Sequence, residues 1–200
     1  MNIAIFASGA GTNAEVIIKT LPALLHKKKT NANIALIVTS NAKAAVINIA
    51  FKNNIAFEII AVNHKTEAEL SKTYLDILSA YNINFIVLAG YLKKIPTDVI
   101  KAYPQKIINI HPALLPAYGG AGMYGMRVHE AVIHAGEKQS GITIHFVDEV
   151  YDHGEIIFQA SCDLVEGETT EQLSKKVLGL EHEHYSNIIA EVLSSQIPVK

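Results

Sequence analysis

N-I-A-I-F-A-S-G-A-G-T-N, residues 2–13, decides how the chain begins to fold. Residues 2–7 form an apolar run with little polar alternation, the pattern of a strand covered on both faces. Ser8 to Asn13 follows at once as a glycine-rich turn. The chain then becomes amphipathic at helical spacing over 13–25, with Val16, Ile17, Leu21, Leu24 and Leu25 on the apolar side. The same rhythm recurs downstream. Residues 33–39 (N-I-A-L-I-V-T), 56–62 and 85–89 read as further strands, 42–53 and 67–81 as helices, and Pro96 as the opening of a short helix to about 103. Strands alternating with helices, apolar on both faces, predict an α/β fold with a doubly wound, mostly parallel sheet and helices on both faces. Ligands then bind outside the carboxyl ends of the strands.

The last strand of that series carries polar residues. In I-I-N-I-H-P-A-L-L-P, residues 107–116, Asn109 and His111 alternate with Ile108 and Ile110, so both point to one face. Pro112 has no N–H to donate and ends the ladder. An amide and an imidazole at a strand's carboxyl end suit chemistry on a carbonyl, donating to an oxyanion or carrying a proton. A core asparagine beside a capping histidine is the plainer reading of the same residues. Beyond Pro116 the composition shifts: 117–125, A-Y-G-G-A-G-M-Y-G, has four glycines and reads as a mobile loop. A helix is predicted over 126–135. Two strands, 143–147 and 155–161, follow with a link short enough for an antiparallel pair, and a long closing helix spans 169–193 with Thr170 as a cap.

At 200 residues the chain fits one domain over 1–200, with a nucleotide-binding half to about 110 and a second half from about 111 that ends in the closing helix. A net charge of -2 gives no support for a nucleic-acid surface. The single cysteine, Cys162, excludes an internal disulfide and fits a reducing compartment. The first apolar run lacks a basic flank and is too short for a signal sequence, and no stretch has the length of a membrane span. These features predict a cytoplasmic protein that binds neither nucleic acid nor membrane, as a monomer or homodimer.

Ser8 to Asn13 puts backbone N–H groups and a helix N-terminus toward an anion. Gly9-x-Gly11-x-x-Ala14 has the spacing of a dinucleotide fingerprint, but Thr39-Ser40-Asn41 stands where a nicotinamide cofactor wants an acid. A phosphate monoester held with Thr12 and Asn13 is the better ligand, and no NAD is expected; a tight turn that simply needs glycine is the alternative. Asp152, in D-E-V-Y-D-H-G, can reach the sheet's carboxyl edge and orient His111, with Asp148 and Glu149 as competitors. The neighbouring Gly154 favours Asp152 by letting backbone approach a ligand. No metal site is expected. His129 and His134 are five apart, one too many for a zinc motif. Within Glu181-His182-Glu183-His184, neighbours two apart point to nearly opposite sides of a helix.

Taken in order, I-A-I-F-A-S-G-A-G-T-N (3–13), V-L-A-G-Y-L (87–92), I-N-I-H-P-A-L-L-P (108–116), D-E-V-Y-D-H-G (148–154) and L-E-H-E-H-Y (180–185) resemble the folate-dependent phosphoribosylglycinamide formyltransferases. The resemblance spans nearly the whole chain. It implies a catalytic trio of Asn109, His111 and Asp152, a ribonucleotide site at Gly11, Thr12, Asn13 and Glu181, and a folate wall over 88–95 that includes Leu88, Tyr91, Leu92, Lys93, Lys94 and Ile95. His145 falls where the family has a histidine near the site. The implied co-substrate is 10-formyltetrahydrofolate and the implied acceptor glycinamide ribonucleotide, in purine biosynthesis, without a metal. The chain departs from the family in its longer glycine-rich loop, in Lys93 where an arginine is frequent, and in lacking an arginine near Thr66. Other formyl-folate enzymes share the Asn-x-His and Asp but carry an additional domain, for which this chain is expected to have no room. A non-catalytic nucleotide-binding module would explain the first loop and leave the trio without a purpose.

Overall fold

The computed structural model describes residues 1–195; the last five residues of the expected 1–200 domain lie outside that range. Within that range seven strands form one sheet. In chain order the elements are β1 (Asn2–Phe6), α1 (Thr12–Lys27), β2 (Asn33–Thr39), α2 (Val46–Lys52), β3 (Ala56–Ile59), α3 (Glu67–Ala80), β4 (Ile83–Leu88), α4 (Thr97–Ala102), β5 (Ile107–His111), α5 (Met126–His134), β6 (Gln139–Phe146), β7 (Ile156–Asp163) and α6 (Thr170–Ser195). The strand order is β3-β2-β1-β4-β5-β6-β7. The first five strands pair in parallel, while β6 runs antiparallel to both β5 and β7. This is the doubly wound sheet with an antiparallel end that the sequence predicts.

The period of two sorts each strand between two cores. Ile3 and Ile5 of β1 pack with Ile17 and Leu21 of α1, Val46 of α2 and Leu173 of α6. Ala4 and Phe6 pack instead with Tyr74 and Leu78 of α3 and Val99 of α4. Each such isoleucine is fully buried and stabilises the fold by about 1.5–3 kcal/mol. On β5 the rule sends Ile108 and Ile110 to the first core and Ile107 to the second. Asn109 and His111 therefore share the second face, at the end where the core stops.

Boundaries moved where side chains bond the backbone. Residues 42–45 are not helical: the Asn41 carboxamide accepts from Lys43 N–H and the Thr39 hydroxyl from Asn41 N–H, which holds a turn ahead of α2. The cap of α6 is Thr169 and not Thr170; its hydroxyl accepts from Gln172 N–H, and the Gln172 side chain accepts from Thr169 N–H. Thr66 and Glu69 make a reciprocal capping box at α3, visible as T-E-A-E and unread above. Pro96 precedes the first helical residue of α4 instead of occupying it. No helix among the described residues is long and apolar enough to cross a membrane.

Candidate active site

The carboxyl ends of β4 and β5 open into a cleft of about 430 Å³, within the range of small-molecule sites. Its wall includes Asn109, His111, Asp152, Asn13, Glu181 and the 90–95 segment, so elements far apart in sequence meet here. Asn109 stands opposite His145 in the β5–β6 ladder, and His111 opposite Thr143. The Thr143 hydroxyl, fully buried, donates to the Ala113 carbonyl and accepts from Leu115 N–H. Gln159 donates to the Leu115 carbonyl and to the same hydroxyl. This knot fixes the chain leaving His111. From the other face, the Tyr185 hydroxyl lies 2.9 Å from the Leu88 carbonyl oxygen and 3.3 Å from that of Ile108, pinning β4 to β5.

His111 sits between two acceptors. Its Nε2 is 2.8 Å from the Tyr118 carbonyl oxygen, and its Nδ1 is 3.5 Å from Asp152 Oδ2. The carbonyl can only accept, so Nε2 carries a proton. Burial pushes the imidazole down, the Asp152 carboxylate and the Tyr118 carbonyl pull it up, and the balance falls below the ordinary value. The distances alone favour an imidazolium, which would satisfy both acceptors. Desolvation is nevertheless the larger influence, and it holds the ring below the ordinary imidazole value. Burial would raise the Asp152 carboxyl, but His145, His111 and the Gly120 N–H more than offset it, so Asp152 is ionised at neutral pH. The Gly120 N–H reaches Asp152 Oδ2 at 2.9 Å. His145 Nδ1 donates to the Phe146 carbonyl, and its Nε2 stands 3.1 Å from Asn109 Nδ2 and 3.6 Å from Asp152 Oδ1. The second hydrogen of that amide is free for a ligand.

Asp148 and Glu149 do not compete for His111. Asp148 faces His153 and the Val150 N–H, and Glu149 lies 3.8 Å from Lys101. The role expected of Gly154 is corrected: a Cβ there would collide with the backbone carbonyl of Phe146, so the glycine serves the β6–β7 turn and not a ligand. Gly154→Val should therefore lower the melting temperature, by the equivalent of about 1–3 kcal/mol, and displace Asp152 with the turn. Calorimetry and activity measured together check this; lost activity at an unchanged melting temperature would contradict it.

The first loop is only partly in the cleft. Asn13 and Glu181 line it, whereas Gly11 and Thr12 lie outside the lining. The first helical bond of α1 runs from Glu15 N–H to the Gly11 carbonyl, so the N–H groups of Thr12, Asn13 and Ala14 have no helical partner. A Cβ on Gly11, whose φ is +75°, would come within 2.8 Å of Val46. A side chain at Gly11 thus disrupts α2 packing as well as any ligand. Asn13 donates to Glu181 Oε2 at 2.7 Å across 168 residues of sequence. Burial raises the Glu181 carboxyl, and Asn13 partly offsets it. Of the four-residue run 181–184, Glu181 alone is buried, while His184 packs at a tilt against the Phe158 ring.

Leu88, Tyr91, Leu92, Lys93, Lys94 and Ile95 all line the cleft. Tyr91 is buried against Phe6 and hydrogen-bonded to Tyr74, and Lys93 is exposed. Lys94 Nζ stands 6.0 Å from the centre of the Tyr151 ring. Ser8, unassigned by sequence reasoning, ties this wall to the first loop: its N–H donates to the Gly90 carbonyl and its hydroxyl accepts from Leu92 N–H. The loop over 117–125 is anchored at His111, at Asp152 and, through the Tyr118 hydroxyl, at Glu137. Among the described residues no group of three or more His, Cys, Asp or Glu side chains is placed to share a metal ion.

A trio at the edge of a doubly wound sheet does not by itself name a family; comparison with known proteins does. A family model described as formyl transferase matches residues 1–189. The chain belongs to the formyl transferase family. The chloroplastic phosphoribosylglycinamide formyltransferase of Arabidopsis thaliana is 36% identical over 98% of the chain, which spans 66% of that relative's length, just under two thirds. The Bacillus subtilis phosphoribosylglycinamide formyltransferase is 35% identical over 95% of the chain and 93% of its own length. A crystal structure of the Bacillus halodurans phosphoribosylglycinamide formyltransferase superimposes with a TM-score of 0.88 at 33% identity, covering 100% of this chain and 98% of that one. Within the formyl transferases, this chain is a member of the phosphoribosylglycinamide group.

Proposed function

We propose that the protein transfers the formyl group of 10-formyltetrahydrofolate to the amine of glycinamide ribonucleotide, a step of purine biosynthesis. The observation that carries this reading is the convergence of Asn109, His111 and Asp152 in one cleft with Asn13 and Glu181. The free N–H groups of α1 and Asn13 receive the phosphate, and the buried Glu181 carboxylate accepts from the ribose hydroxyls. The folate lies along 88–95, its ring against main-chain groups. The amine attacks the formyl carbon and gives a tetrahedral oxyanion. Asn109 Nδ2 donates its free hydrogen to that oxygen. His111 acts as the imidazolium, its added proton taken up from solvent before the attack, and its charge stabilises the new oxyanion. Asp152 stabilises that cation and, through water, relays the proton from the amine to N10 as the C–N10 bond breaks. No step calls on a metal.

The test is to mix the protein with both substrates and then omit each in turn. Tetrahydrofolate should form only when glycinamide ribonucleotide is present. Release of formate without the ribonucleotide would point to a deformylase, and no turnover of either kind would leave a nucleotide-binding module.

Lys93 supports a smaller expectation. It is exposed at the cleft mouth, where a folate's glutamate tail would emerge, so its contact is screened. Lys93→Ala should raise the folate KM by about twofold, and the effect should fade as salt rises. An unchanged folate KM at low ionic strength would remove Lys93 from the wall.

A further inference from the structure

The first turns of α5 carry a histidine that this mechanism does not use. His129 is only 4% exposed and forms part of the cleft wall beside His111 and Met126. Neither ring nitrogen makes a hydrogen bond within the described residues, and Nδ1 is sealed from solvent with no partner. Its buried neighbours on the helix, Val128 and Val132, are apolar. A leucine there would leave no polar atom unpaired, whereas an unpaired buried imidazole forfeits its bonds to water. Burial and the nearby His111 hold the ring below the ordinary imidazole value, so it is neutral at pH 7. A neutral ring has one N–H. With Nδ1 sealed and partnerless, the proton belongs on Nε2, the nitrogen that is not sealed.

We infer that His129 is a substrate-binding residue whose Nε2–H receives an uncharged carbonyl acceptor, the carboxamide oxygen of the ribonucleotide's glycinamide arm. The inference rests on the proposed reaction. There the phosphate belongs to the first loop, the ribose to Glu181 and the amine to Asn109 and His111. The carboxamide is the group next to that amine, and His129 and His111 line the same cleft. A neutral donor matches an amide carbonyl and gives selectivity for the arm over the bare sugar phosphate, because a site left with an unpaired polar group rejects a ligand that lacks the acceptor.

The probes are glycinamide ribonucleotide and ribose 5-phosphate, titrated calorimetrically into the whole protein, with wild type, His129→Leu and His129→Gln compared. His129→Leu should raise the melting temperature, since it removes unpaired polar atoms from the wall. It should weaken glycinamide ribonucleotide about fivefold, the worth of one hydrogen bond, and leave ribose 5-phosphate unchanged. His129→Gln restores a donor and should recover most of that affinity. A residue that only packs would lower the melting temperature and would not separate the two ligands. The assignment is overturned if His129→Leu is less stable than wild type, or if both ligands change alike. Wild-type protein that binds ribose 5-phosphate but not glycinamide ribonucleotide would overturn the proposed reaction itself, and this contact with it.

Discussion

His111→Ala should lower kcat by about 10²–10³-fold, the scale on which losing one group that stabilises an oxyanion acts, while the ribonucleotide KM changes little. The side chain is 3% exposed and stands at the rim of the second core, held by Tyr118 and Asp152. Removing it takes away a charge that matters in the transition state but no member of either hydrophobic core, so the melting temperature should move far less than the rate. Asn109→Ala should show a loss of similar size. The double variant should fall well short of the product of the two single losses, because the residues act on one oxygen as a unit. Steady-state kinetics on the three variants measure this. Near-normal turnover by His111→Ala would take the imidazole out of the chemistry.

Asp152→Asn should be as damaging, on the order of 10²–10⁴-fold in kcat, for a different reason. The amide keeps the shape and can still accept from the Gly120 N–H, but it removes the negative charge that pulls His111 up. Burial is then less opposed, and the imidazole falls further below its ordinary value. The charged form of His111 is reached only at lower pH, so the residual activity of Asp152→Asn should peak on the acid side of the wild-type optimum. An unchanged optimum would mean that Asp152 does not act through His111. The same signs bear on stability. A histidine whose folded pKa is depressed leaves the unfolded chain to take up protons first. His111 and His129 should thus cost the fold stability as pH falls from about 6.5, the unperturbed imidazole value, toward their lowered values. Asp152 adds its own loss only in stronger acid, below the usual carboxylate range.

The doubly wound sheet was legible because its strands are apolar on both faces, and because Asn109 and His111 obey the period of two that puts them together. Asp152 could be narrowed to three acids, since a turn of seven residues constrains them all. Which acid faces His111 depends on the path of the β6–β7 link, set by Gly154 packing against the Phe146 carbonyl. Thr143 and Gln159 were illegible: their role is to bond the backbone of another strand, and nothing in T-I-H-F or F-Q-A states that partner. The depressed state of His111 was beyond sequence for the same reason, since desolvation depends on what covers the ring. His129 was visible only as half of a failed zinc spacing. Its significance comes from what it lacks, which only coordinates reveal.

The proposed reaction moves one carbon between two bound molecules, so the decisive experiment follows that carbon. The protein would be incubated with glycinamide ribonucleotide and 10-formyltetrahydrofolate carrying ¹³C in the formyl group, and the products read by NMR. The label should appear as a formamide on the ribonucleotide amine, in proportion to the tetrahydrofolate released, and the His111→Ala protein should make the same product slowly. Label recovered as free formate, with the ribonucleotide unaltered, would contradict the proposed reaction.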